Sequence, residues 1–331
     1  MTKAFTRTVV LGMVVSVGAV HNLAQAPSKS DEIAPPGAGV AIVVRNVDVS
    51  AKAWADLAGV PVPTPFIPQH PVWPPKHDGD RPELGPRIAS VRFASGGITM
   101  HEPPAGKNYW RELLDKHGET FYRFGWGTDD LDASVNYLLS KGGKLTLGDP
   151  AQAPYVNINL WPKYGFATEI NTRKPTPGQA SHPVVLVPAR IEQKPPEPSS
   201  FASNPIASVS FVVPNLDQAV KDFTDLFKLP ASAATPVNRP AGFPAKTAAI
   251  QFPNGTVWHL NEPQGGDSIF RTRLKKDGTS IISVNIHVKS VRDQTAYLKS
   301  KGGTLVLGSG DAPYAYFDFV RQLGAIIEIH E

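Results

Sequence analysis

Short runs rich in β-branched residues alternate along this chain with stretches whose apolar positions recur every three or four residues. Val43-Val44 is followed by Asn46-Val47-Asp48, and Val212-Val213 by Asn215-Leu216-Asp217. Each reads as a strand ending at a helix N-cap. Helices are predicted next, over Ser50–Ala58 with Trp54 and Leu57 on one face, and over Gln218–Phe227 with Val220, Phe223 and Phe227. Strand pairs follow at Ile88–Phe93 with Gly97–His101, and at Lys246–Phe252 with Thr256–Leu260. The alternation then repeats. Strand Phe121–Trp126, helix Leu131–Ser140 and strands Lys144–Leu147, Tyr155–Leu160 and Phe166–Ile170 are matched by Ile281–Val288, Val291–Ser300, Thr304–Leu307, Tyr314–Phe319 and Ala325–His330.

The pattern is a duplication, because the residues repeat as well. Ser140–Gly148 reads S-K-G-G-K-L-T-L-G and Ser300–Gly308 reads S-K-G-G-T-L-V-L-G, identical at seven of nine positions. Ala153-Pro154-Tyr155 answers to Ala312-Pro313-Tyr314, and Gly165-x-x-x-Glu169 to Gly324-x-x-x-Glu328. A chain of this kind is read as copies first and motifs second. Four strand–helix–strand–strand–strand modules, two per half, predict an α+β fold with the helix on one face of a curved sheet. The halves fall at 37–172 and 205–331, joined by a Pro-rich linker over 173–204.

Composition narrows the function. The chain of 331 residues is long enough for two domains, each with its own core. A net charge of +4, without basic runs interleaved with aromatics, gives no footprint for nucleic acid. The absence of cysteine removes disulfides, thiolate metal sites and a Cys nucleophile. Lys3 and Arg7, the apolar run Val9–Val20 and Ala24-Gln25-Ala26 read as a signal peptide over 1–26, too short to span a bilayer. The alternative is an uncleaved anchor. A periplasmic or secreted protein is expected, with no other membrane segment. No phosphate-cradling glycine loop, G-x-S-x-G elbow, H-E-x-x-H or dinucleotide fingerprint is present.

The strand ending V-V-P-N-L-D, the helix ending D-L-F-K-L, the S-K-G-G turn, the Gly-x-x-x-Glu strand and the run Trp110–Glu119 (W-R-E-L-L-D-K-H-G-E) resemble the vicinal oxygen chelate superfamily. This is the group of glyoxalase I, bleomycin-resistance proteins, methylmalonyl-CoA epimerase and extradiol dioxygenases. The resemblance implies two glyoxalase-like domains whose paired modules form cups. It also implies a divalent metal (Fe, Mn, Zn or Ni) held by residues of the first and last strands of each module, since alternate strand residues point inward.

Carried onto this chain, the last-strand carboxylates are Glu169 and Glu328, the candidate catalytic and metal-binding groups. His101 and His259, each four residues after a glycine (Gly97 and Gly255), are the candidate imidazole ligands in matching places. At the first-strand positions, where the family usually has His, stand Gly39, Arg123, Ser208 and Ser283. Two protein ligands per site fall short of the three expected at a catalytic zinc. Arg123 is expected to reach Glu169 and replace the cation in the first half. In the second, His287 shares the strand parity of Ser283, so His259, His287 and Glu328 have the composition of a two-His-one-carboxylate set. Its four-residue offset, about 13 Å at ~3.3 Å per residue, places it at the rim instead. Asn157, Asn159 and Tyr316 are candidate pocket-wall residues, and Trp126, Trp258 and Asp318 are further inward positions. His70, His77 and Trp73 sit in a Pro-rich insertion read as a loop or lid, and His117 ends a helix.

Two readings stay open. One is a metal-dependent lyase, isomerase or dioxygenase of glyoxalase type, in which a carboxylate or metal-bound hydroxide moves a proton. The other is a non-enzymatic small-molecule binder of the resistance type. In either, internal duplication stands in for a dimer, so a monomer suffices.

Overall fold

The structure is a computed structural model that describes residues 39–67, 85–150, 155–173 and 197–331. The N-terminal apolar run, His70, Trp73, His77, Ala153-Pro154 and most of the linker lie outside the described residues.

The first half runs β1 (Val40–Val43), α1 (Val47–Ala58), β2 (Arg87–Arg92), β3 (Gly97–Glu102), α2 (Tyr109–His117), β4 (Thr120–Thr128), α3 (Leu131–Ser140), β5 (Lys144–Leu147), β6 (Tyr155–Asn159), α4 (Trp161–Tyr164) and β7 (Ala167–Thr172). The second runs β8 (Ile206–Val212), α5 (Leu216–Leu226), β9 (Ala234–Val237), β10 (Ala245–Gln251), β11 (Val257–Pro263), α6 (Ile269–Asp277), β12 (Ser280–His287), α7 (Val291–Ser300), β13 (Thr304–Gly308), β14 (Tyr314–Phe319), α8 (Val320–Leu323) and β15 (Ala325–His330). The predicted caps start the helices: Asn46 and Asn215 side chains accept from Val49 N and Gln218 N.

Each half closes one sheet, ordered β2-β3-β1-β4-β7-β6-β5 and β13-β14-β15-β12-β8-β11-β10-β9. Adjacent modules pair within a half, because β1 runs antiparallel to β4 and β8 to β12. Among the described residues the first sheet has one strand fewer: there the segment equivalent to β9 makes an isolated bridge, Phe66 to Ile88.

Two further differences from the sequence reading concern helices. The helix-bearing faces of both sheets share one core, where Phe124 lies 4.6 Å from Trp258 and Phe166 lies 5.9 Å from Phe211, ring centre to ring centre. Trp126 and Trp258 belong to this core and not to a ligand platform. The opposite, concave face of each sheet also receives a helix: α2 buries Trp110, Leu113 and Leu114 there, and α6 buries Phe270. The cups are thus partly filled by protein, and what remains of them is lined by the few polar positions that the strands turn inward.

Candidate functional site

Backbone register decides which side chains meet in each cup. Gly125 lies opposite Glu169 on β7, and Asn285 opposite Glu328 on β15, so the two glutamates are equivalent. Facing them across the next strand are Asn157 and Tyr316, again equivalent.

The histidines are not equivalent, which corrects the glycine count. Val43 pairs with His101 in the first half, whereas its counterpart Val212 pairs with Asn261. Glu102 and Glu262 confirm the register, since each accepts from the first backbone N–H of its own module's helix, Val47 N of α1 and Leu216 N of α5. The counterpart of His259 is therefore Thr99. The turn at Gly255 carries one more residue than the turn at Gly96, and Gly96, not Gly97, has the matching positive φ of 76° against 84°.

In the first cup, a β-bulge decides the arrangement. Ala41 pairs with Arg123 and Ile42 with Phe121, leaving Tyr122 as the extra residue. Tyr122 and Arg123 then both face the concave side. Arg123 Nη1 lies 2.5 Å from Glu169 Oε2 and 3.3 Å from Asn157 Oδ1, and Nη2 lies 3.4 Å from His101 Nε2. His101 Nδ1 bonds the Tyr122 hydroxyl, which also accepts from Trp110 Nε1 at 2.9 Å. Burial, and then the Arg123 charge, hold His101 well below its ordinary pKa. Burial pushes the Tyr122 hydroxyl up to about 12. Burial, the largest single cause, would lower the Arg123 pKa, but the Glu169 carboxylate together with Tyr122, Tyr155 and Tyr109 outweighs it, so the pKa is raised and the guanidinium stays charged. The result is a closed network around a protein-borne cation. A cavity of about 150 Å³ beside it is lined by Tyr109, Asn157 and Asn159 among others. Asn159 also caps α4, accepting from Trp161 N at 2.8 Å.

The second cup uses other residues. The same bulge recurs at Ile282, and Ser283 takes the place of Arg123. Asn285 Nδ2 lies 2.6 Å from Ser208 Oγ and 3.1 Å from His259 Nδ1, and its Oδ1 accepts from Ser283 Oγ at 3.0 Å. Glu328, 1 % exposed, has Ser210 Oγ 3.3 Å from Oε2 and Arg239 Nη1 3.4 Å from Oε1. Arg239 reaches in from the loop between β9 and β10, stacked on Phe243 at 4.8 Å. His330 stands on the same face as Glu328, two residues on. Burial drives both His259 and His330 down to about 4, so both rings are neutral at pH 7. His287 ends β12, exposed, its ring 5.5 Å from that of His330 and outside the His259–Glu328 cluster. Asp318 caps α8 by accepting from Val320 N.

Arg239 was invisible in the sequence, because a loop residue carries no periodicity. His330 was within reach: it shares the strand parity of Glu328. Tyr122 was hidden by the bulge, and Asn285 because a neutral amide on a buried strand carries no ionisable group to mark it.

No family model matches the sequence, and no curated protein matches it. Solved structures do match. The chain aligns over 89% of its length with 92% of a triple mutant of 4-hydroxymandelate synthase from Streptomyces coelicolor, at a TM-score of 0.59 and 12% identity. It aligns over 91% of its length with a fusion of a xylose isomerase-like TIM barrel and a 4-hydroxyphenylpyruvate dioxygenase, at 0.52 and 11%. The chain spans half the length of that fusion protein. The chain has the vicinal oxygen chelate fold, in two tandem domains.

A vicinal oxygen chelate cup implies a divalent metal, and the donors present here do not fit one. Among the described residues, no three His, Cys, Asp or Glu side chains come together as a ligand set, so His259, His287 and Glu328 do not assemble. In the first cup a guanidinium lies between His101 and Glu169 and is bonded to both. In the second, His259 Nδ1 faces Asn285, and both Glu328 oxygens face other donors. A cation next to a buried guanidinium meets like-charge repulsion in a medium that screens poorly.

Proposed function

We propose that the protein binds a small organic molecule in the cup of its second domain without a resident metal. The observation that carries this reading is Arg239 on Glu328: the carboxylate that a metal would need is paired with a guanidinium, and Arg239 itself lines a cavity of about 680 Å³. The first domain serves as the structural partner, its own arginine consumed by Glu169, Asn157 and His101. The duplicated fold supplies a complete two-cup unit within one chain. The signal-like start of the sequence supports a periplasmic or secreted location, with the ligand met outside the cytoplasm.

Thermal unfolding of the full chain against a panel of small organic compounds, with and without EDTA, tests this reading. Stabilisation that survives EDTA and is lost in Arg239→Ala is expected. Stabilisation that appears only with added Mn, Fe, Zn or Ni would return the protein to metal-dependent chemistry.

A further inference from the structure

The second cup holds more buried donors than acceptors. Arg239 Nη1 faces Glu328, but its Nε and Nη2 are buried with no hydrogen-bond partner among the described residues. The Tyr316 hydroxyl, directly across the strand pair from Glu328, is buried and makes no hydrogen bond within 3.5 Å, the Glu328 carboxylate being the acceptor close by. Each buried donor left this way costs about 1–3 kcal/mol. The first cup leaves the Tyr109 hydroxyl without a partner, but its arginine has both terminal nitrogens spent on Glu169, Asn157 and His101.

The identity of the unpaired atoms is informative. Nε and Nη2 form one edge of the guanidinium, two parallel N–H groups that match the two oxygens of a carboxylate. Nη1, on the other side, keeps Glu328. Arg239 also lines the cavity of about 680 Å³, together with Val237, Asn238, Pro240 and Phe243, so the residue stands between open space and the His259–Glu328 cluster. The cavity wall is mixed: Asp217, Lys246 and Thr235 line it as well, while next to Arg239 it is apolar at Pro240, Phe243 and Val237, which suits a carboxylate carried on an apolar body.

We propose that the Nε–Nη2 edge of Arg239, helped by the Tyr316 hydroxyl, takes the carboxylate of a small organic acid whose apolar part lies along Phe243 and Pro240. This rests on the reading of the second cup as the ligand site and adds the chemical class of the ligand. Glu328 is then the second carboxylate on the same guanidinium, which holds the arginine in place whether or not the acid is bound.

Calorimetric titration of the full chain with benzoate, benzamide and inorganic phosphate tests it. Benzoate should bind once per chain, with benzamide weaker by about ten-fold or more because it lacks the charge that strengthens both hydrogen bonds. Arg239→Lys keeps the charge but loses the paired edge, and should weaken benzoate by about ten-fold or more. Tyr316→Phe removes one buried oxygen that makes no hydrogen bond within 3.5 Å. It should leave the ligand-free protein as stable as before, or more so, while weakening benzoate about three-fold or more. That variant keeps the test open if Arg239→Lys fails to fold. Equal affinity for benzoate and benzamide, or benzoate binding unchanged in both variants, would overturn the assignment, and so would phosphate binding more tightly than benzoate. If a neutral compound binds this cup without metal and benzoate does not, the carboxylate site fails while the metal-free reading stands. If binding of every probe depends on added metal, the reading beneath it fails too.

Discussion

His117 and Asp277, the last residues of α2 and α6, hold the same place in the two domains and bond each other, Nδ1 to Oδ1 at 2.8 Å. The pair is nearly free of solvent, and Arg273 adds a second charge to Asp277 at 3.0 Å while Lys276 donates to the His117 carbonyl at 2.7 Å. One buried polar cluster therefore ties together the two copies of the duplicated unit. Asp277→Ala should destabilise the full chain by about 3 kcal/mol or more, read by urea unfolding, because it strands Arg273 and His117 in the interface.

The same residue gives an acid limb. Burial works to raise the Asp277 pKa, but the His117 hydrogen bond and the charges of Arg273 and Lys276 outweigh it and hold the carboxyl below its ordinary 3.8. A depressed carboxyl pKa contributes stability that is present above 3.8 and lost as pH falls through the lower folded value. Below pH 3.8 the wild type should therefore lose stability more steeply than Asp277→Asn, compared by unfolding midpoints across that range.

His259 and His330 act at higher pH. Both are held at about 4 against an ordinary 6.5, so the unfolded chain binds more protons between those values. Stability should fall as pH drops from 6.5 toward 4 and level off below. His330→Gln should flatten that slope in thermal unfolding, and an unchanged slope would place the ring outside the buried cluster.

Arg123 and Glu169 predict a coupling. Removing the guanidinium leaves a half-buried carboxylate unpaired, so Arg123→Met alone should cost about 3 kcal/mol, and Arg123→Met with Glu169→Gln less than the sum of the two single changes. His101 supplies an independent readout: its pKa, followed by NMR, should rise in Arg123→Met, because the neighbouring charge is the second cause of its depression after burial.

Gly165 and Gly324 test the packing of the two domains. They follow α4 and α8 at φ of 75° and 66°, and each backs onto the other domain. A Cβ on Gly324 would sit 2.6 Å from the Glu119 Cβ, and one on Gly165 would strike the Thr279 carbonyl. Gly324→Ala and Gly165→Ala should each cost about 2 kcal/mol or more, the sum of left-handed strain and the clash. A surface glycine with open space, such as Gly106, supplies the control for strain alone.

Most of the fold was legible in the sequence because duplication makes each element report twice. Leu131–Ser140 and Val291–Ser300 are observed at their predicted bounds. The short α4 and α8 went unseen, since four residues carry no helical period. The site was legible where strand parity governs it, as at Glu169 and Glu328. It was misread where one residue in a turn shifts the register, as at His101 and His259. It was hidden where a bulge or a loop supplies the group, as at Tyr122 and Arg239. Sequence spacing counts residues, whereas the cup selects side chains by pairing across strands.

Arg123 on Glu169 and Arg239 on Glu328 occupy the carboxylates that a metal would need, so the proposed reading stands or falls on metal. The direct measurement is the metal content of the full chain, purified without chelator and then offered Mn, Fe, Zn and Ni in turn. Well below one metal per chain is expected in every case. Near-stoichiometric metal that disappears in His259→Ala would contradict it.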